Sequence, residues 1–255
     1  AGPVSSLGFR PDAPSGHYQR HLDTVAGLKA KPGKCLSIPA PGMPRYDQSR
    51  RVQQVKVYPL HGCLHEEHVN DPELAGKVLE SSWPPSYSSH STVLANPGKP
   101  TVPLALYLDA AQYLRRDTVI VFVTCNLLSG ARHLNCVLRK KDLCLCGRRG
   151  WCSLRVVLEM MAWSFAALRA GAFPATQPNG LQWPAGEAVR ASLAGLPMAL
   201  QGAVCHVKGD WAEFSHTLGF PTWKHNDYPC LWCQSDRHSL YDLEGVAADT
   251  LPWAA

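Results

Sequence analysis

A small set of residues in this chain has the types and spacing that chemistry uses. Asp109 closes the apolar run "VPLALYLDA", and Asp210 closes "MALQGAVCHVKGD". Two carboxylates at the ends of neighbouring strands are the hard oxygen ligands that Mg²⁺ or Mn²⁺ prefers. Paired ions roughly 3.5–4 Å apart stabilise the attacking and leaving oxygens of phosphoryl transfer. The second set is sulfur. Cys144, Cys146 and Cys152 fall in "LCLCGRRGWC", and Cys230 and Cys233 form a Cys-x-x-Cys pair after Tyr228-Pro229. Glycine-flanked spacings of this kind let thiolates hold Zn²⁺ tetrahedrally. Partners for the Cys230 and Cys233 pair come from Cys144, Cys146, Cys152, His225 or His238, in one site or two.

Each set also has a plainer reading. "Asp210-Trp-Ala-Glu213" is close to a capping box, in which an acid accepts the first free amides of a helix. Asp109 suits a polar turn before Gln112. Cys125, Cys136 and Cys205 lie in apolar strands and read as buried thiols. The segment "His61-Gly-Cys63-Leu-His65-Glu-Glu-His68" has metal-ligand residue types, but its histidine spacing does not fit the HExxH pattern. "Pro97-Gly98-Lys99-Pro100-Thr101" lacks the leading glycine of a phosphate loop. "Arg139-Lys140-Lys141" and "Arg148-Arg149" are basic runs that suit a solvated face, or a phosphate backbone contacted without sequence preference.

The elements that must position these residues are legible in the second part of the chain. Three β-rich runs follow one another: "VPLALYLDA", "DTVIVFVTCNLL" and, after the Ser129-Gly130 turn, "GARHLNCVLRK". Short connections make them an antiparallel meander. "SLRVVLEMMAWSFAALRAG" then reads as a helix closed by Gly171. It is apolar nearly all round, which predicts burial. A short helix at Glu187–Ala194, a fourth strand in "MALQGAVCHVKGD" and a helix "WAEFSHTLG" capped by Gly219 complete the order. Strand, strand, strand, helix, strand, helix is the order of a ribonuclease-H-like mixed α/β sheet, with its first and fourth strands adjacent. Residues 1–100 are rich in Pro, Gly, Ser and His. They are expected to be a largely irregular, Pro-rich N-terminal extension, with a short strand at Val52–Tyr58 and a short helix at Pro72–Glu80. The predicted domains are therefore 1–100 and 101–255.

Bulk properties set the frame. The 255 residues carry a net charge of +5 and are 45 % hydrophobic, enough for a real core and only mildly basic. Ten cysteines without an opening signal peptide read as reduced thiols in an intracellular, nuclear-compatible compartment rather than a secreted disulfide scaffold. The longest apolar run, Val156 to Ala170, is interrupted by Glu159 and Arg169, so no membrane partner is expected. A chain that opens on Ala1 and stops at Ala255 reads as a fragment of a longer protein, or as one with a processed terminus.

From about Pro103 to Trp253 the chain resembles a multicopy family of predicted algal proteins, through "LALYLDAAQY", "SGARHLNCVLRKKDLCLCGRRGWCSL", "VKGDWAEFSHTLGFPTW" and "YPCLWC". More distantly it resembles the ribonuclease-H-like transposases of the Plavaka and Kyakuja–Dileera–Zisupton type. The resemblance implies a catalytic role for Asp109 and Asp210, a structural Zn²⁺ at the cysteines, a catalytic Mg²⁺ or Mn²⁺, and DNA as a sequence-nonspecific partner. Two positions depart from the pattern: Ala110 stands where the family has Gly, and Arg148 where it has a further Cys. The third acid such transposases need is not supplied by Asp242 or Glu244, which follow the fourth strand too soon. It is expected either to lie beyond Ala255 or never to have existed, and the present chain is expected to be inactive on DNA. The other expectation is a non-catalytic, zinc-stabilised module that binds nucleic acid or protein through its basic cysteine loop.

Overall fold

A computed structural model describes residues 35–43, 49–114, 117–146, 150–210, 214–215, 218–222, 224–225, 227 and 236. The chain divides into two compact units, Ala1–Lys208 and Gly209–Ala255.

In the first unit, β1 (Leu36–Gly42) and β2 (Arg51–Val57) precede four helices: α1 (Leu60–Asn70), α2 (Leu74–Glu80), α3 (Pro85–Ser88) and α4 (Ser91–Ala95). Then come β3 (Thr101–Leu114), β4 (Asp117–Asn126), β5 (Arg132–Arg139), α5 (Trp151–Ala170), α6 (Ala188–Leu193) and β6 (Gln201–Lys208). They build one mixed sheet in the order β1-β2-β5-β4-β3-β6. β6 lies parallel to β3, and the other neighbours are antiparallel. The fold is thus mixed α/β with a six-stranded sheet. The parallel pair follows from the long connection through α5, because a short loop can only return a strand antiparallel.

Alternation fixes the two faces. Val102, Leu104, Leu106 and Leu108 of β3 are all buried. Val102 and Leu104 share a cluster with Leu60, Cys63 and Leu64 of α1, Leu74 and Val78 of α2, and Leu168 of α5. Each such side chain is worth roughly 1.5–3 kcal/mol of burial. Gly202 lets α5 sit this close. A Cβ there would lie 2.7 Å from Leu104 Cδ1 and 3.3 Å from Leu168 Cδ1. On the opposite face Val119, Val121 and Val137 form a second buried cluster, with Ala111 packed against it.

A bulge carries a polar hub into this core. The β4–β5 register shifts between Phe122 and Val123, which leaves Asn135 as the extra residue on β5. Its side-chain oxygen accepts from Thr124 Oγ1 at 2.6 Å, and its Nδ2 donates to the Tyr58 carbonyl at 3.0 Å. Tyr58 N in turn donates to the Asn135 carbonyl at 2.7 Å, joining the end of β2 to β5.

Sequence expectations need correction at the following points. The strand carrying Asp109 does not end there. Ala110, Ala111 and Gln112 go on pairing with Ile120, Val119 and Thr118, so Asp109 is internal to β3. Within the stretch expected to be irregular, β1 and α1 join the sheet and its core. The prolines of β1, Pro39 and Pro41, sit on an edge strand, where a missing N–H costs no ladder bond. α5 is buried on one side only. Leu154, Val157, Met161 and Leu168 face in, while Arg155, Glu159 and Ala166 face solvent. α5 has the length and apolarity of a membrane span, and its inward face packs against the sheet as a core helix does.

In the second unit most of "WAEFSHTLG" lies outside the described residues. Phe214 N donates to the Asp210 carbonyl at 3.1 Å, a helical i, i+4 bond, and Phe220 N donates to the Phe214 carbonyl at 3.0 Å. Gly219 has φ of 77°.

Candidate metal centre and the acid on β3

The loop between β5 and α5 is tied down at both ends before its thiols come into play. After Arg139 a 3₁₀ turn (Lys140–Asp142) leads to Leu143, which bridges Gly42 of β1. A side chain at Gly42 would meet Gln53 Cδ at 2.8 Å and the Asp142 carbonyl at 3.0 Å, so this crossing requires glycine. The loop re-enters the core at Gly150, whose φ of 84° and 2.8 Å approach to Leu143 Cδ1 both exclude a Cβ. Ser153, in the first turn of α5, completes the fastening. Its Oγ accepts from Cys144 N at 2.9 Å and donates to the Pro41 carbonyl.

This frame converges Cys144, Cys146 and Cys152, whose three Sγ atoms all lie within 4.8 Å of one another. Cys144 is buried, Cys146 exposed and Cys152 intermediate. Cys146 Sγ and Cys152 Sγ are 3.2 Å apart, beyond the ~2.05 Å of a disulfide. Sulfur atoms at ~2.3 Å from a tetrahedral zinc stand about 3.8 Å from each other, within reach of this spread. The cluster could hold a metal ion, and its three soft donors are compatible with structural zinc. The Cys152 thiol is pushed above its ordinary value, first by its hydrogen bond with Cys146, then by burial and the charge of Cys146. Thiols this close resist joint ionisation, and a divalent cation among them reverses that preference. No fourth His, Cys, Asp or Glu joins the group among the described residues. Cys230 and Cys233 lie outside the described residues, as do Arg148 and Arg149.

Asp109 stands opposite Val121, which in turn pairs with Val137. Its carboxylate therefore shares the sheet face of that second cluster, away from α1 and α5. Tyr107, two residues earlier on the same face, donates its hydroxyl to Asp109 Oδ2 at 2.8 Å. The β3–β6 register runs to Tyr107 opposite Lys208. Asp210 is exposed in the second unit, where its carbonyl takes the helical bond already described. Among the described residues Asp109 belongs to no group of three metal-ligating side chains.

The histidine-rich motif forms the body of α1, and among the described residues its side chains gather no group of three ligand atoms. Cys63 is buried in the core, and Glu67 staples the β4–β5 turn. Asn126 Nδ2 donates to Glu67 Oε1 at 2.9 Å, Ser129 Oγ donates to the same oxygen, and His133 Nε2 lies 2.9 Å from Oε2. Burial pushes the Glu67 carboxyl up, but the hydrogen bonds from His133 and Ser129 outweigh it and leave its pKa below the ordinary value. Of the basic runs, Arg139 Nη2 lies 2.8 Å and Lys141 Nζ 3.3 Å from the buried Asp117 carboxylate, so part of that charge is spent inside the fold.

Sequence reasoning missed one feature, a cavity of about 400 Å³ between α1 and α6. Its signal was the i, i+4 spacing of His61 and His65, which sets both rings on one side of α1. Both meet Phe173 edge-on, at centroid distances of 6.3 and 5.1 Å.

Comparison of the chain with protein-family models, curated proteins and solved structures gives no match.

Proposed function

We propose that this chain is a ribonuclease-H-like core related to DNA transposases, stabilised by zinc at Cys144, Cys146 and Cys152. The observation that carries the reading is the direction of four strands. β5, β4 and β3 form an antiparallel meander, and β6 returns through α5 to lie parallel beside β3. In this reading Asp109 and Asp210 are the oxygen ligands for Mg²⁺ or Mn²⁺. Asp109 suits the group chemically: it is a carboxylate half open to solvent, with one oxygen steadied by the Tyr107 hydroxyl. A divalent ion there would stabilise charge on phosphodiester oxygens. The chain's own part is to hold the acid rigidly in mid-strand.

A second reading, a non-catalytic zinc-stabilised binding module, is favoured by the small number of acids gathered at Asp109 among the described residues. Iron-mediated backbone cleavage separates the two. Purified protein loaded with Fe²⁺ and treated with ascorbate and peroxide should be cut near residues 109 and 210. Excess Mn²⁺ should suppress those cuts, and Asp109→Asn should lose them. Cuts near Cys144–Cys152 serve as the internal control for iron held by sulfur. Cuts at the thiols with none at Asp109 would overturn the catalytic reading and leave the module.

A further inference from the structure

The thiol cluster has a second chemistry that needs no metal. Sulfurs suited to zinc are also two-electron reductants, and a pair of them forms a disulfide where geometry allows. Cys146 Sγ and Cys152 Sγ stand 3.2 Å apart, so an approach of about 1.1 Å brings them to the ~2.05 Å of a disulfide. The fold has already gathered the two. Cys152 lies in the first turn of α5, and its neighbour Ser153 anchors that turn to the Pro41 carbonyl. Little loop-closure cost therefore remains when the bond forms.

The three thiols are not equivalent. Among the described cysteines Cys146 alone is exposed, while Cys152 is intermediate and Cys144 is buried. Cys144 N donates to Ser153 Oγ at 2.9 Å, which holds that residue against the core. An oxidant arriving from solvent meets Cys146 first, because thiol oxidation follows access. Cys152, in contact with Cys146, is the sulfur placed to resolve the product. Cys63 and Cys136 lie in the core, shielded from the same oxidant.

We propose that Cys146 and Cys152 form a peroxide-sensitive modification site, whose oxidation to a disulfide dismantles the three-sulfur metal centre. The oxidant is a hydroperoxide, hydrogen peroxide being the simplest. The Cys146 thiolate attacks one peroxide oxygen and the O–O bond breaks. A sulfenic acid forms on Cys146, and the departing hydroxide takes up a proton as water. Cys152 Sγ then attacks Cys146 Sγ and the S–O bond breaks. The hydroxyl leaves with the Cys152 proton as a second water. Two thiols have given up two electrons and two protons, and one hydrogen peroxide has become two waters. A metal ligand must be a thiolate, so the oxidised cluster keeps only Cys144 and the ion departs. The disulfide rests on the thiol geometry alone, whereas the release of metal rests on the zinc reading above.

Peptide mapping tests the site. The full chain, reduced and either chelated or loaded with Zn²⁺, is treated with hydrogen peroxide, alkylated and digested with trypsin. Cleavage after Lys141, Arg148, Arg149 and Arg155 puts Cys144 and Cys146 on one peptide and Cys152 on another. The expected product is these two peptides joined through Cys146 and Cys152, with Cys144, Cys63 and Cys136 alkylated. Dithiothreitol should reverse the bond. Cys152→Ser should halt the reaction at a Cys146 sulfenic acid, which dimedone traps. In the Zn²⁺-loaded arm one ion should pass to a coloured chelator for each disulfide formed. Both forms are mapped, with circular dichroism beside them, so the linkage is read even if chelation unfolds the chain. A parent that binds no zinc yet forms the Cys146–Cys152 bond would remove the zinc reading and uphold this site. Absence of that bond in the folded chain, or a bond through Cys144 in its place, overturns the proposal whatever the metal does.

Discussion

Acidification should destabilise this protein through His61, and replacing that histidine should remove that part of the loss. In the folded chain the ring takes a proton only near pH 3, because burial penalises the imidazolium and Arg190 and His65 add like charge. In the unfolded chain it does so near its ordinary 6.5. Between those values the unfolded state binds more protons, so stability falls as pH falls. Each pH unit inside the window costs about 1.4 kcal/mol, so acidification to about pH 4.5 removes roughly 2–3 kcal/mol. That is a large share of the ~5–15 kcal/mol a domain possesses. Urea midpoints should be followed from about pH 7 to 4 for the parent and for His61→Gln, whose amide can bond Ser164 Oγ as donor or acceptor. Glu67, whose folded pKa is depressed, also loses stability as pH falls through that lowered value. It does so in both proteins, and subtraction removes it. The expected result is a difference curve that rises steadily below about pH 6.5 and reaches ~2–3 kcal/mol. Parallel loss in parent and variant would refute the assignment of a buried, neutral His61.

Three further outcomes are expected. Chelation of metal, or Cys144→Ser, Cys146→Ser and Cys152→Ser together, should lower the melting temperature by about 8–16 °C. That follows if metal at a thousand-fold excess over its Kd stabilises by about 4 kcal/mol. Metal analysis beside Cys230→Ser, Cys233→Ser shows whether the two thiol sets count one ion or two; unchanged melting with no metal in the parent would remove the zinc reading. Gly202→Ala should destabilise by roughly 1–3 kcal/mol in denaturant titration, because the new methyl enters the space of Leu104 Cδ1. Asp117→Asn should cost about 1–3 kcal/mol, since it removes the 2.8 Å ion pair of Arg139, a mostly buried cation, and leaves the longer 3.8 Å contact with Asp142 in place. Stability within 0.5 kcal/mol of the parent, a surface-like value, would show that pair to be solvated.

The core meander was legible because its runs are long and β-rich. "DTVIVFVTCN" admits no helical stripe, and Ser129-Gly130 marks the turn where Gly130 takes φ of 73°. The end of α5 was equally plain, since Gly171 adopts the left-handed conformation expected of a helix terminator. β1 was hidden by its prolines, which argue against a strand unless its edge position is known. α1 was hidden by chemistry. His61, Glu67 and His68 look like a ligand set in sequence, but three-dimensional partners, Ser164 and His133 among them, take up the first two. Of the thiols, CxC spacing pointed to Cys144 and Cys146, and the nearby Cys152 completed the group because α5 begins one residue before it. Only one wall of the cavity near α6 had a signal, the i, i+4 pair His61 and His65; Phe173, Trp183 and Arg190 are gathered by tertiary packing and share no period.

The pairing of β6 with β3 sets the tempo at which this chain can mature. Thr101 and Gln201, joined side chain to side chain at 3.2 Å, are 100 positions apart. The hairpins on either side of β4 close over a few residues. Loop closure therefore favours a meander that forms early and a sixth strand that docks late. Until it docks, β3, with 14 residues the longest strand of the sheet, offers an unpaired ladder to any other chain. The waiting interval lasts while everything from residue 140 to 200 is made and collapses. Slower synthesis or a cooler culture lengthens translation but weakens the encounters that turn an open strand into an aggregate. The yield of soluble protein should respond more to those conditions, and to truncations before Gln201, than to changes on the exposed side of α5.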